Sequence, residues 1–162
     1  MTLVTHQGGV SILTTFLVSL LLTIAPLPDW AQHLRPPWVA LVLIYWCIAL
    51  PERIGVGVAW VAGISLDVLT GALFGQHALG LLMVAYMAVT IHQRMRLFPL
   101  WQQAPIVLIM LLVDRLLVLW VSGASGNPPP PLWYWMPAIT GMLLWPGMFI
   151  ILRRVRRQFR VS

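Results

Sequence analysis

Three ionisable side chains fall inside long apolar runs. Asp67 lies in GISLDVLTGALFG (63–75), and Asp114 stands beside Arg115 in IVLIMLLVDRLLVLW (106–120). Each such group costs roughly 2.5–3.5 kcal/mol if it faces lipid, so the three are expected to turn inward and find partners. Two chemistries are compatible with that. A chain of titratable groups relays protons or holds a substrate, whereas a fixed pair of opposite charges sets helix register. The second is the simpler reading, because His6, His33, His77 and His92 all fall at the ends of apolar runs or in loops, where an interfacial position accounts for them. Neighbours on a helix point about 100° apart, so Asp114 and Arg115 cannot both face one partner. The expected arrangement is an Asp67–Arg115 bridge, which leaves Asp114 to face another helix, a cavity or a partner protein.

Other chemistry has no residues to support it. No HExxH or CxxC spacing marks a metal site. There is no GxSxG elbow and no phosphate loop. Ser65 lies two residues before Asp67, but no histidine stands deep in an apolar run to act as its base. The single cysteine, Cys47, excludes an internal disulfide. The expectation is a protein without cofactor, metal or catalytic residues.

The apolar setting of Asp67 is regular. Gly63, Asp67, Gly71 and Gly75 recur in steps of four, and Gly55 and Ala59 extend the series backward. Residues four apart share a helix face, drifting by about 40° per step. Small residues at this spacing let another backbone approach closely, which is how helices associate where lipid provides no hydrophobic drive. Packing within the bundle is the plain reading; a docking face for another protein is the alternative. A second ladder, Ser11, Thr15, Ser19 and Thr23, marks a packing face on the first apolar run, although these hydroxyls also bond back to their own helix.

These residues need membrane helices to position them. The chain has 162 residues, 60% of them hydrophobic and 9% charged, with a mean hydropathy of +0.88. That composition belongs to an integral membrane protein rather than a soluble domain. Six apolar runs can be marked, at about 10–28, 36–50, 54–73, 77–92, 104–122 and 132–152, giving one all-α domain of about six transmembrane helices. The second and fourth are short for a bilayer of ~30 Å. With both termini in the cytoplasm, the inner segments hold Arg53, Arg94, Arg96, Arg153, Arg154, Arg156, Arg157 and Arg160, against Arg35 alone outside. This is the asymmetry that the positive-inside rule requires. Every basic residue is arginine, and half of them lie at 153–162. The pI near 11.1 therefore reflects orientation and contact with anionic lipid or a cytoplasmic partner, not nucleic-acid binding.

The G-x3-D-x3-G-x3-G run at 63–75, followed by His77-Ala-Leu-Gly80, resembles the bacterial rod shape-determining MreD family. Leu27-Pro28 closing the first run, the basic loop after the fourth and the short length agree with it, and the resemblance covers essentially the whole chain. It implies a compact six-helix protein of the inner membrane, with a fold similar to the substrate-binding subunits of energy-coupling-factor vitamin transporters. It also implies a non-enzymatic role in cell-wall elongation. The implied partners are an MreC-like single-span coiled-coil protein, a peptidoglycan glycosyltransferase with a class B penicillin-binding protein, and, indirectly, the actin-like MreB.

A rival from another class is a binding subunit that captures a small molecule from the outer side. Such a site needs several polar groups converging among apolar walls. The outer half offers Asp67, Gln76, His77 and the aromatic run Trp133-Tyr134-Trp135, a thin set for a vitamin. A proton-coupled transporter would rest on Asp67 and Asp114 alone, and no inverted repeat accompanies them.

Overall fold

The computed structural model describes residues 9–26, 28, 35–51, 54–71, 75–126, 128 and 132–158. They form helices α1 (Gly9–Ile24), α2 (Trp38–Ala49), α3 (Val56–Thr70), α4 (Gln76–Leu97) and α5 (Leu100–Ala124), a 3₁₀ turn (Leu132–Trp135) and α6 (Met136–Gln158). No strand occurs among the described residues. α4, α5 and α6 are long and apolar enough to cross a membrane, while α1, α2 and α3 are shorter apolar helices. The chain is an all-helical bundle of the kind a multi-pass membrane protein forms.

α2 is the centre of that bundle. All its residues from Val39 to Ala49 are buried, packed against α1, α4 and α6. A helix that is apolar on every side belongs inside, and at about 18 Å it has no need to match the bilayer when other helices surround it. Around it, α3 lies along α4, α4 along α5, and α5 along α6. α4 is longer than the apolar run at 77–92 suggests. It continues through Arg94 and Arg96, two cations in the last turn, where the helix dipole favours them. α6 likewise continues past Leu152 through Arg153, Arg154, Arg156 and Arg157, so the first part of the basic tail is helical. Arg160 lies outside the described residues.

Glycines set the closest approaches. A Cβ on Gly63 would overlap the backbone of Ala78, where α3 meets α4. A Cβ on Gly80 would overlap the Asp114 carboxylate, where α4 meets α5. A Cβ on Gly141 would come within 2.6 Å of Leu111 Cδ1, where α6 meets α5. The α3–α4 pair relies on a missing side chain outright, because its neighbour there is backbone, whereas at Gly80 and Gly141 the nearest atoms are the ends of side chains.

Candidate functional site

The glycine ladder does not form one stripe on one helix. α3 stops at Thr70, and Gly71 takes the left-handed conformation (φ 71°), its N–H returning to the Asp67 carbonyl. Glycine is favoured there because it has no Cβ to clash. Gly75 is also left-handed (φ 93°) and opens α4. A Cβ at either position would meet nothing within 4 Å, so these two glycines shape a turn and pack against no neighbour. Only Gly63 of the ladder is a contact residue in the sense first expected of all four. The constant step of four spans a helix and the turn beyond it.

Asp67 ties that turn together. It is 1% exposed. Its Oδ2 accepts from the Gly75 N–H at 2.9 Å, and its Oδ1 accepts from the His77 N–H at 2.8 Å. The His77 ring nitrogen Nδ1 lies 2.8 Å from the same Oδ1. The carboxylate therefore caps the first turn of α4 from the end of α3, where free N–H groups and the positive end of the dipole favour an anion. His77 is accordingly more than an interfacial residue: its backbone N–H and its ring both meet the Asp67 carboxylate.

The expected Asp67–Arg115 bridge is corrected by this geometry. The Asp67 oxygens are occupied by their own turn, and Arg115 goes elsewhere. Its guanidinium lies over the Tyr134 ring, 5.2 Å from Cζ to the centroid, and its carbonyl accepts from the Tyr134 hydroxyl at 2.7 Å. A long cation that climbs toward an interfacial aromatic keeps its head out of the apolar interior.

Asp114 has no such partner. It is 8% exposed, and its Oδ1 is buried without a hydrogen bond against the bare Cα of Gly80. It lines a cavity of about 300 Å³ together with His77, Arg115, Tyr134, Arg35 and Thr70. Arg35 donates to the carbonyls of Thr23 and Ala25 at the end of α1, while its Nε is buried and unpartnered. The threonine hydroxyls on this cavity are turned to their own helices: Thr70 donates to the Leu66 carbonyl and Thr23 to the Ser19 carbonyl. The cavity offers charged recognition groups without a presented nucleophile. No group of three or more His, Cys, Asp or Glu poised for a metal exists among the described residues.

The hydroxyl ladder of α1 has two tasks. Thr15 and Ser19 bond back to the carbonyls of Ile12 and Phe16, and Thr15 Oγ1 also accepts from the buried indole of Trp46 at 3.0 Å. Ser11, Thr15 and Ser19 line a mostly apolar lateral groove of about 630 Å³, closed on the other side by Met148, Ile151 and Val155 of α6. At the arginine-rich end, a residue without an expected role fixes the α4–α5 turn. Gln103, 3% exposed, donates to the carbonyls of Met95 and Phe98 and accepts from the indole of Trp145. A single amide in an amphipathic start to α5 carries no spacing that would have announced it.

The family model described as rod shape-determining protein MreD matches residues 5–155. The rod shape-determining protein MreD of Haemophilus influenzae is 30% identical over 154 residues, covering 93% of each chain. No solved structure matches the chain.

Proposed function

The chain belongs to the rod shape-determining MreD family, and from that premise we propose that it is a non-enzymatic membrane scaffold of the cell-wall elongation machinery. Its place in rod-shape determination follows from the family. The finer reading is that it holds an MreC-like single-span protein, and through it supports the peptidoglycan glycosyltransferase, the class B penicillin-binding protein and the MreB-like filament. It does so from the bacterial inner membrane with both termini in the cytoplasm.

The observation that carries this reading is the lateral groove between α1 and α6. It is long, mostly apolar and faced by small hydroxyl residues, the surface against which another helix packs in lipid. Val18 and Ile151 stand on its two sides, 48% and 58% exposed. Val18→Trp and Ile151→Trp fill the groove without touching the core. Each is expected to abolish recovery of the single-span partner with the tagged protein while leaving its own yield and thermal unfolding unchanged. Undiminished recovery with both variants overturns the groove as the docking face.

A second reading, a small-molecule binding subunit of an uptake system, is favoured by one observation. Asp114 Oδ1 and Arg35 Nε are both buried and unpartnered, and both residues line the same cavity. Such groups are usually satisfied by water or ligand. Recovery of ATPase subunits or a bound metabolite with the purified protein would favour uptake over the scaffold reading.

A further inference from the structure

At the arginine-rich end of the bundle, opposite the Asp114 cavity, α2, α4 and α6 leave a recess of about 320 Å³. Tyr45, Ile48 and Ala49 come from the end of α2, Arg96 from the last turn of α4, and Phe149, Arg153 and Arg156 from α6. We propose that this recess is a built site for the phosphate of an anionic phospholipid headgroup. The proposal stands apart from the scaffold reading and needs no protein partner.

Four observations converge on it. First, three guanidiniums line one small space, and among the described residues no carboxylate does. The two carboxylates among the described residues, Asp67 and Asp114, are both committed to the other end of the bundle. Second, the cations are positioned. Arg96 Nε and Nη2 donate to the carbonyls of Ile48 and Ala49, each at 3.0 Å, which holds its planar fork over the end of α2 and leaves other N–H groups to spare. Arg153 and Arg156 are three apart on α6, hence on one face, and both line the recess beside Tyr45. Third, the floor is rigid and apolar. The Tyr45 and Phe149 rings meet edge to face at 5.4 Å, and Tyr45 is itself 2% exposed. Fourth, the recess lies where the apolar surface of α6 gives way to charge. Ile150, three residues before Arg153 and so beside it on the helix, is exposed.

That last feature selects among anions. Guanidinium forks match phosphate oxygens in pairs. A free phosphate would use the arginines alone. A phospholipid also lays an acyl chain along the exposed apolar surface beside the arginines, at Ile150, and basic pockets between membrane helices on the cytoplasmic side take such headgroups. The commitment is therefore to lipid rather than to a soluble phosphate.

The test uses the whole protein in nanodiscs of phosphatidylcholine doped with phosphatidylglycerol, with retained lipid counted by native mass spectrometry after mild extraction. Three variants are compared with the wild type: the recess triple Arg96→Gln, Arg153→Gln, Arg156→Gln; a control triple Arg94→Gln, Arg154→Gln, Arg157→Gln with the same charge change outside the recess; and Arg153→Gln alone. Wild type and control triple are expected to retain phosphatidylglycerol equally. The recess triple is expected to lose it, and Arg153→Gln to weaken retention about fivefold, the worth of one arginine near a lipid surface. Arg153 is exposed, so the single variant keeps the fold even if the triple does not. Equal loss in both triples would reduce the effect to diffuse charge and overturn the site. Displacement of the lipid by millimolar inorganic phosphate, or equal retention of phosphatidylcholine, would overturn the lipid assignment.

Discussion

Asp67 Oδ1 holds His77 twice, through the backbone N–H and through ring Nδ1, both at 2.8 Å. One carboxylate oxygen thereby fixes the backbone and the side chain of the second helical residue of α4. With Oδ2 on Gly75, the end of α3 and the start of α4 become one unit closed by a buried anion. A carboxylate stands among these glycines because the glycines make the turn and the carboxylate satisfies the N–H groups that the turn presents.

Removing that anion should be costly. Hydrogen bonds to a charged group contribute about 1.5–3 kcal/mol each, and a donor left unpaired in the interior costs as much again. Asp67→Ala is expected to destabilise by about 3 kcal/mol or more, and Asp67→Asn by less, since one amide oxygen still accepts. His77→Ala, which spares both backbone bonds, should cost about 1 kcal/mol. Thermal unfolding in one detergent orders the three; an Asp67→Asn protein no more stable than Asp67→Ala would contradict the capping role.

The three ladder glycines should respond differently to alanine. Gly63→Ala forces a Cβ into the Ala78 backbone, so α3 and α4 must separate, and a loss of several kcal/mol is expected by the overpacking rule. Ala78→Gly should not rescue it, because the nearest atom is the Ala78 Cα and not its side chain. Gly71→Ala and Gly75→Ala meet open space and incur only the left-handed penalty, about 1–2 kcal/mol. Recovery of stability in the Gly63→Ala, Ala78→Gly double variant would show that the contact had been misplaced.

The charge-reversed pair Asp67→Arg, Arg115→Asp should restore nothing lost by either single change. The two residues have separate partners, the α3–α4 turn for one and Tyr134 for the other. Expression and unfolding temperature of the double variant are expected to fall below both singles. Rescue would reinstate the direct bridge.

How these outcomes relate to the sequence depends on the kind of contact. The burial of Asp67 and the all-apolar character of α2 were visible because hydropathy reports them without geometry. The ladder's constant step was visible too, but it concealed the end of α3. Helix termination at Gly71 turns on one positive φ, and the Thr70-Gly71 pair was its only local sign. The Asp67–His77 pair joins two helices across that turn, so a helical wheel drawn through 63–75 could not show it. Arg115 was placed by depth alone. Its direction was decided by Tyr134, a residue 19 positions on, whose aromatic run reads equally well as an interfacial belt. Gln103 and Gly80 each act singly, and neither produces a period.

Gly80 and Asp114 should be coupled. The Asp114 carboxylate rests on the bare Cα of Gly80, with its Oδ1 where a Cβ would stand. Gly80→Ala therefore pushes a buried, unpartnered oxygen off its seat, and the carboxylate must swing into the cavity it lines. In an Asp114→Ala background the same methyl meets no carboxylate, only the backbone carbonyl oxygen of residue 114 at a tight 3.2 Å, against which stands the small propensity advantage of alanine over glycine, about 1 kcal/mol. Gly80→Ala is thus expected to destabilise the wild type clearly more than it destabilises Asp114→Ala. The interaction term from the four-protein cycle should exceed about 1 kcal/mol. Equal cost in both backgrounds would mean that α4 and α5 meet at Gly80 through their backbones, and that Asp114 is free of that contact.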